Sequence, residues 1–464
     1  MEHDSAVRKV GDLTTSPALT CPPTTTVREV AQLMSAARRR SIVVPLPGGQ
    51  FGIFTDGDMR RRIVAAGVDT DRPISQFLTT PIVTADRSRR GADVLMDMLD
   101  EGLRQMPVVT ESGALVGVIE DSDLYAPATR SGFALRSDIA RAADPDELAT
   151  VCARVPSLVV ALHDARVSPV EVTAVYSILV DAAVRRAVSF AFTFAASAPT
   201  WMTLGSVARR EALPSSDVES ALILTDRERG GTSAPAEVVH ALLDRCGFRR
   251  DPNHALASYR RFARTTEQWS AAIDGWIADP LADRAVVMLS LLADSVVIAG
   301  PPPDIEPIGQ RIRADHRAGV LMLRESTNDR ARLPMRDKLF RRSENADVKA
   351  AVVGPITGIA RWAGAMAGTS ERTTLGRLST AADAKVLSRD DAAVLAESFE
   401  VAQRIRLQHQ CEQIQDGYRP DNVVPFDSLT PLARSLLANA VREVSGVQRT
   451  LAYVAGTTTH GALP

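Results

Sequence analysis

Residues Thr200 to Leu224 read TWMTLGSVARREALPSSDVESALIL. Trp201 to Leu204 predict a short apolar strand, and Gly205-Ser206 a tight turn with a hydroxyl and no bulky side chain. Val207 to Leu213 predict about two turns of helix, stopped by Pro214. Asp217 to Leu224 predict a second strand. Residues i and i+2 of a strand share a face, so Asp217 and Glu219 project together, near Gly205-Ser206 on the neighbouring strand. Two adjacent carboxylates repel unless a cation bridges them. Carboxylate oxygens suit Mg²⁺, which also takes oxygens from nucleotide phosphates. A Gly-Ser turn opening a helix offers backbone N–H donors to a phosphate. These residues together predict a site for nucleotidyl transfer with one or two metal ions.

The motif resembles that of the nucleotidyltransferase superfamily that includes DNA polymerase β, and more closely its bacterial branch similar to the PII uridylyltransferases. Leu204-Gly205-Ser206 followed by Asp217-Val218-Glu219 stands where that superfamily has apolar-Gly-Ser and acid-apolar-acid. Arg209, Glu211 and Ser216-Asp217 fit the branch, whereas Glu219 replaces its usual aspartate. The resemblance implies that Gly205, Ser206 and Arg209 bind substrate, and that Asp217 and Glu219 bind Mg²⁺ or Mn²⁺ and are catalytic. It also implies a third catalytic and metal-binding carboxylate, assigned to Asp294 in Leu291 to Ile298, LLADSVVI. A charge inside so apolar a run is costly unless it is paired or bound to metal. An aspartate paired with arginine is the plainer alternative. Between these strands, Arg260 and Arg261 are candidates for a triphosphate or acidic acceptor, or form a solvated helix face.

Upstream, the chain repeats itself. GIFTDGDM at Gly52 to Met59 returns as GVIEDSDL at Gly117 to Leu124, an offset of about 65 residues. Each unit orders a proline turn, a helix, a β-branched strand, a Gly-containing turn, a second strand and an acidic turn. Residues 7–128 resemble a tandem CBS-domain pair. The resemblance implies an adenosine nucleotide such as AMP or ATP as regulatory ligand, with Asp58 and Asp123 on ribose hydroxyls and Thr55 on phosphate. Glu120 stands where the second unit would have threonine and would repel a phosphate, so one better and one poorer site are expected. Simple helix capping by Asp58 and Asp123 is the alternative.

Residues 129–199 carry helical apolar spacing and predict a helical connector. Residues 200–305 form the predicted mixed-sheet nucleotidyltransferase domain. Residues 306–452 read as a helical bundle and resemble the domain that follows this transferase in the same bacterial family. Residues 453–464 predict a disordered tail. The fold class expected is thus multidomain, α/β and α. His163-Asp164 evokes a metal phosphohydrolase dyad, but the next histidine, His240, has no matching partner nearby in sequence.

The chain has 464 residues and a net charge of -2, which argues against a broad grip on nucleic acid or anionic lipid. No run of about 18 apolar residues predicts a membrane span. The four cysteines form no CxxC pair, so a reduced cytoplasmic setting is expected. Only Lys9, Lys338, Lys349 and Lys385 stand among the basic residues, which argues against a lysine nucleophile. The resemblance implies a signal-transducing enzyme that moves an NMP from an NTP to a hydroxyl, by analogy a protein tyrosine. A homodimer through the CBS pair is also implied. The alternative is a catalytically inactive interaction protein that senses adenine nucleotides.

Overall fold

The computed structural model describes residues 9–14, 17–124, 130–192, 199–225, 233–328, 330–332 and 345–457. The chain divides into two compact units, Met1–Phe133 and Ala134–Pro464. The first contains the two repeats. Helix α1 (Val27–Ala37) starts at a capping box between Thr26 and Glu29. Strands β1 (Ser41–Leu46) and β2 (Gln50–Thr55) then pair antiparallel. Gly48 and Gly49 take positive φ at the tip, as this turn requires. The second repeat gives β3 (Ala85–Asp86), α2 (Gly91–Glu101), β4 (Gln105–Val109) and β5 (Leu115–Glu120) in one three-stranded sheet. Val30, Ile42, Val44 and Phe54, all fully buried, form the core of the first repeat.

The second unit is built on a four-stranded sheet of order β10-β8-β6-β11. Its strands are β6 (Thr200–Thr203), β8 (Ser220–Leu224), β10 (Ala263–Thr265) and β11 (Val296–Ala299). Strand β6 is antiparallel to β8 and β11, and β10 runs parallel to β8. A separate parallel pair joins β7 (Asp217–Val218) to β9 (Arg249–Arg250). The continuous strand expected over Asp217 to Leu224 is therefore two strands that meet at Glu219. The helix expected over Val207 to Leu213 is a single turn, Gly205–Ala208.

Three further helices surround the sheet: α3 (Pro169–Ala191), α4 (Thr266–Ala278) and α5 (Ala285–Ala293). Helix α3 falls in the stretch expected to be a connector, yet it is a core element of this body. Most of its residues are buried, as for a helix packed all round. Its Ser177 hydroxyl accepts from Ala212 N at 3.0 Å, and Asp181 accepts from the Thr203 hydroxyl at 3.1 Å. Arg185 donates to Ile298 O at 2.9 Å.

The helical part follows as α6 (His316–Asn328), α7 (Gly354–Ala367), α8 (Thr374–Asp383), α9 (Arg389–Gln415) and α10 (Pro431–Thr457). One hydrophobic cluster runs from Met202 and Leu204 in the sheet region to Leu451 and Ala455 in α10. Residues 453–457, expected to open a disordered tail, continue α10, because Ala455 is buried in this core. Residues 458–464 lie outside the described residues.

Sheet and helices are also joined by buried charge. Asp294, at the C-terminal end of α5, has a side chain only 1% exposed. Its Oδ2 accepts from Arg209 Nη1 at 2.6 Å and from Arg361 Nε and Nη2 at 2.9 and 2.6 Å. Its Oδ1 accepts from Arg377 Nη1. Arg361 lies on α7 and Arg377 on α8. A Cβ on Gly364 would stand 2.9 Å from Arg377 Cγ, so glycine lets that arginine cross the helix. Burial alone would raise the Asp294 pKa, but Arg361, Arg209 and Arg377 hold it well below the usual range.

Removing one member of such a group leaves unpaired buried charge, so Asp294→Ala is expected to cost about 3–5 kcal/mol, read as a lower melting temperature. An acid with a depressed folded pKa stabilises the fold above its unfolded pKa and loses that contribution as pH falls through the folded value. The contribution of Asp294 itself should therefore be lost only below the ordinary aspartate value of 3.8: the gap in melting temperature between wild type and Asp294→Ala should stay constant down to about pH 4 and narrow below it, and a gap that narrows already in milder acid would contradict this.

Candidate functional site

The break between β7 and β8 defines the site. Leu204 N donates to Glu219 O at 3.0 Å, which fixes the end of β6 against the break. Gly205 follows with φ +61°, a conformation that favours glycine. A Cβ built there would overlap Glu219 Oε2, so the Glu219 carboxylate lies directly over the Gly-Ser turn. Ser206 is half-buried, and its hydroxyl makes no hydrogen bond among the described residues.

Asp217 lies on β7 and Glu219 in the break before β8, yet both feel Asp251 and Lys349. Burial pushes the Glu219 pKa up to about 7, with Asp251 adding to the rise and Arg209 and Lys349 opposing it. Burial also raises Asp217, against the pull of Lys349, Arg249 and Arg419. Arg249 Nε stands 4.0 Å from Asp217 Oδ1. Asp251 is 5% exposed and follows β9, whose register sets Asp217 beside Arg249 and Val218 beside Arg250. Its Oδ2 accepts from Ala255 N at 2.8 Å. The pair thus gathers negative charge in a partly dry place, and cations from the helical part face it.

That helical part grips the loop before Asp217. Ser215 N donates to Gln410 Oε1 at 3.1 Å, and Gln410 Nε2 donates to the Ser215 hydroxyl at 2.7 Å. The same hydroxyl bonds Asn422 Oδ1 at 2.9 Å, and Arg406 Nη2 donates to that oxygen at 2.8 Å. Arg249 Nη1 spans Ser215 O and Pro420 O at 3.3 and 3.1 Å. Gln403 and Gln410 are fully buried. Burial pulls the Arg406 pKa down to about 10. Gln410 and Asn422 are the clasp between the two parts.

The structure seats the Glu219 carboxylate on Gly205, next to Ser206 in the chain, gives it Asp251 and Lys349 as charged neighbours in common with Asp217, and commits Arg209 and Asp294 to each other. Asp294 gives both oxygens to arginine and offers none to a metal. Arg209 is 8% exposed and donates to Glu211 at 2.8 Å as well as to Asp294. An aspartate in an apolar run needed counter-charges, and Arg209 supplies one. Among the described residues no group of three or more histidine, cysteine or acidic side chains could hold a metal ion. The sequence reading missed Asp251 and Lys349. Lys349 had one visible signal, as one of only four lysines in an arginine-rich chain.

In the first unit, Thr55 and Asp58 form a helix capping box, with the Thr55 hydroxyl donating to Asp58 Oδ2 at 2.7 Å. Asp123 Oδ2 likewise accepts from Glu120 N at 2.9 Å. Both aspartates accept a cap hydrogen bond at the start of their helices. Burial raises the Glu120 pKa, which the nearby Arg40 opposes. Arg40 Nη1 lies 3.9 Å from Glu120 Oε2.

Comparison with known proteins agrees with this division. Residues 10–65 and 74–126 match the CBS domain model. Residues 153–283 match the model described as "Putative nucleotidyltransferase DUF294", which starts far enough upstream to include α3. Residues 320–455 match the "Putative nucleotidyltransferase substrate binding domain". The CBS domain-containing protein YhcV of Bacillus subtilis is 30% identical over 115 residues, which cover 25% of this chain and 81% of that one. The uncharacterized protein MK0525 of Methanopyrus kandleri is 26% identical over 117 residues; the match covers 25% of this chain and 60% of that one. Among solved structures, a CBS domain protein from Pyrobaculum aerophilum complexed with AMP is 25% identical. It has a TM-score of 0.25 and covers 27% of this chain and 98% of that one. No described helix is long and apolar enough to cross a membrane. The chain belongs to the CBS-domain-containing proteins, and its CBS pair is followed by the regions that match the DUF294 model and the C-terminal model that goes with it.

Proposed function

We propose that this chain transfers a nucleoside monophosphate from an NTP to a hydroxyl acceptor, releasing pyrophosphate, at the site formed by Gly205, Ser206, Asp217 and Glu219. The observation that carries the reading is the Glu219 carboxylate seated on Gly205; Asp217, two residues earlier, is a second carboxylate raised by burial and shares Asp251 and Lys349 as charged neighbours. The donor set is all oxygen and partly dry, which fits Mg²⁺ or Mn²⁺. Asp217 and Glu219 would hold that ion, and when bound it neutralises charge on the reacting phosphate. Lys349, which acts on both carboxylates, and Arg419, which acts on Asp217, reach them from the helical part and bind the polyphosphate. The clasp through Gln410 and Asn422 holds the Asp217 loop in place. Ser206 offers an uncommitted hydroxyl to phosphate.

The acceptor proposed is a tyrosine hydroxyl on a PII-type signalling protein, in keeping with the resemblance to uridylyltransferases. The CBS pair, through Thr55, Asp58 and Asp123, binds AMP or ATP as regulator and joins two copies of the chain, which works in the cytoplasm. Ligand binding there requires Asp58 to exchange its cap bond for ribose hydroxyls. A second reading, nucleotide sensing without turnover, is favoured by one observation: Asp294 supplies no third metal carboxylate.

Pyrophosphate release from each NTP with Mg²⁺ or Mn²⁺, with cell extract as acceptor source, tests the choice. Asp217→Asn and Glu219→Gln should each lower release by more than roughly 100-fold, beyond the cost of losing an outer partner of a metal ligand. Nucleotide binding without release in the wild type would instead establish the sensing reading. Gly205→Ala should have an effect comparable to Glu219→Gln, because the added methyl must displace the Glu219 carboxylate; wild-type release would contradict the assigned geometry.

The raised Glu219 pKa gives a further test. A carboxyl whose folded pKa is raised stabilises the fold when protonated, and that contribution is lost as pH rises from its ordinary 4.5 through about 7. Added Mg²⁺ should raise the melting temperature more at pH 8 than at pH 5 in the wild type and not in Glu219→Gln. An equal Mg²⁺ effect in both proteins would exclude Glu219 as a ligand.

A further inference from the structure

A cavity of about 380 Å³ lies beside the arginine cage in the second unit. Its lining contains none of Gly205, Ser206, Asp217, Glu219 and Lys349, so it is distinct from the site above. Met202, Trp269, Ile273, Leu292 and Ile305 give it an apolar wall. Trp269 is held in place by its ring N–H, which donates to Leu222 O at 3.1 Å. Arg209, Arg361 and Arg377 line the other wall. A volume in this range, apolar with a few convergent polar groups, is the usual form of a small-molecule pocket.

The charges there are unequal. Arg209, Arg361 and Arg377 share only two buried carboxylates, Asp294 and Glu211. By ion pairs among the described residues there is one guanidinium more than there are carboxylates, and Arg361, 18% exposed at its side chain, opens toward the cavity. Glu306 and Glu371 also line the cavity, but both are exposed and stay solvated. Arg361 uses Nε and Nη2 on Asp294, and its Nη1 makes no hydrogen bond among the described residues. Arg209 uses Nε and Nη1, and its Nη2 likewise makes none. Two uncommitted N–H₂ groups from neighbouring guanidiniums match the two oxygens of a carboxylate.

We propose that this cavity binds a small amphipathic carboxylate, with its apolar part against Trp269 and Ile305 and its oxygens on Arg209 and Arg361. The ligand would be sensed at the transfer site, because Arg209 also belongs to the electrostatic surroundings of Glu219. Binding itself does not depend on the proposed transfer reaction, so its test is separate.

Isothermal titration calorimetry on the full chain would use isobutyrate, hexanoate, 4-phenylbutyrate and indole-3-acetate, each against its amide, together with inorganic phosphate. At least one acid should bind, with its amide weaker by roughly tenfold or more, as expected for loss of a charge-assisted hydrogen bond. Arg361→Gln should abolish that preference. Ile305→Trp, which fills the apolar wall and leaves the cage intact, should remove binding while the protein melts at the wild-type temperature. Three results would overturn the proposal: no acid binding, equal binding of acid and amide, or binding unchanged in Ile305→Trp. Binding of phosphate alone would do so too, since it would need no apolar wall.

Discussion

One buried carboxylate organises the second unit. Asp294 ends the helix before the last strand of the sheet and is coordinated by arginines from three elements: the turn after Gly205-Ser206, helix α7 and helix α8. Arg209 and Arg377 are almost wholly out of water, and Asp294 and Glu211 offset the cost of burying them. The sheet and the helical bundle are therefore electrostatically interdependent. Thr374 N, at the start of α8, donates to Glu211, which extends the same network from the turn to the bundle.

From that constraint the site follows. With Arg209 tied to Asp294 and Glu211, the turn after β6 is fixed, and Gly205 is free to accept the Glu219 carboxylate above it. The bundle then reaches the Asp217 loop from the other side through Gln410, Asn422 and Arg406. Polar contacts of this kind, buried and mutually satisfied, specify one geometry where apolar packing would allow several. They also explain why cationic groups of the helical part, Lys349 and Arg419, act on the acidic pair.

Much of this was legible in the sequence. The repeat of GIFTDGDM as GVIEDSDL located the CBS pair, and Leu204-Gly205-Ser206 with Asp217-Val218-Glu219 located the transferase domain. The partners of these residues were not legible. Spacing placed Asp217 and Glu219 on one strand, whereas Asp217 pairs with β9 and the main sheet resumes only at Ser220. That break depends on a strand more than thirty residues downstream, which local alternation does not encode. The cost of an aspartate among leucines was read correctly at Asp294, and arginine satisfied it where metal was expected. Gln403, Arg406 and Gln410 gave no signal in the sequence, because polar residues facing a polar partner surface carry no hydrophobic period.

The direct measurement is a crystal structure with Mn²⁺ and a non-hydrolysable NTP, read by anomalous scattering from the metal. This account predicts manganese on Asp217 and Glu219, triphosphate oxygens completing its shell, and Asp294 still enclosed by Arg209, Arg361 and Arg377. Manganese on Asp294, or nucleotide bound with no metal on Asp217 and Glu219, would contradict it.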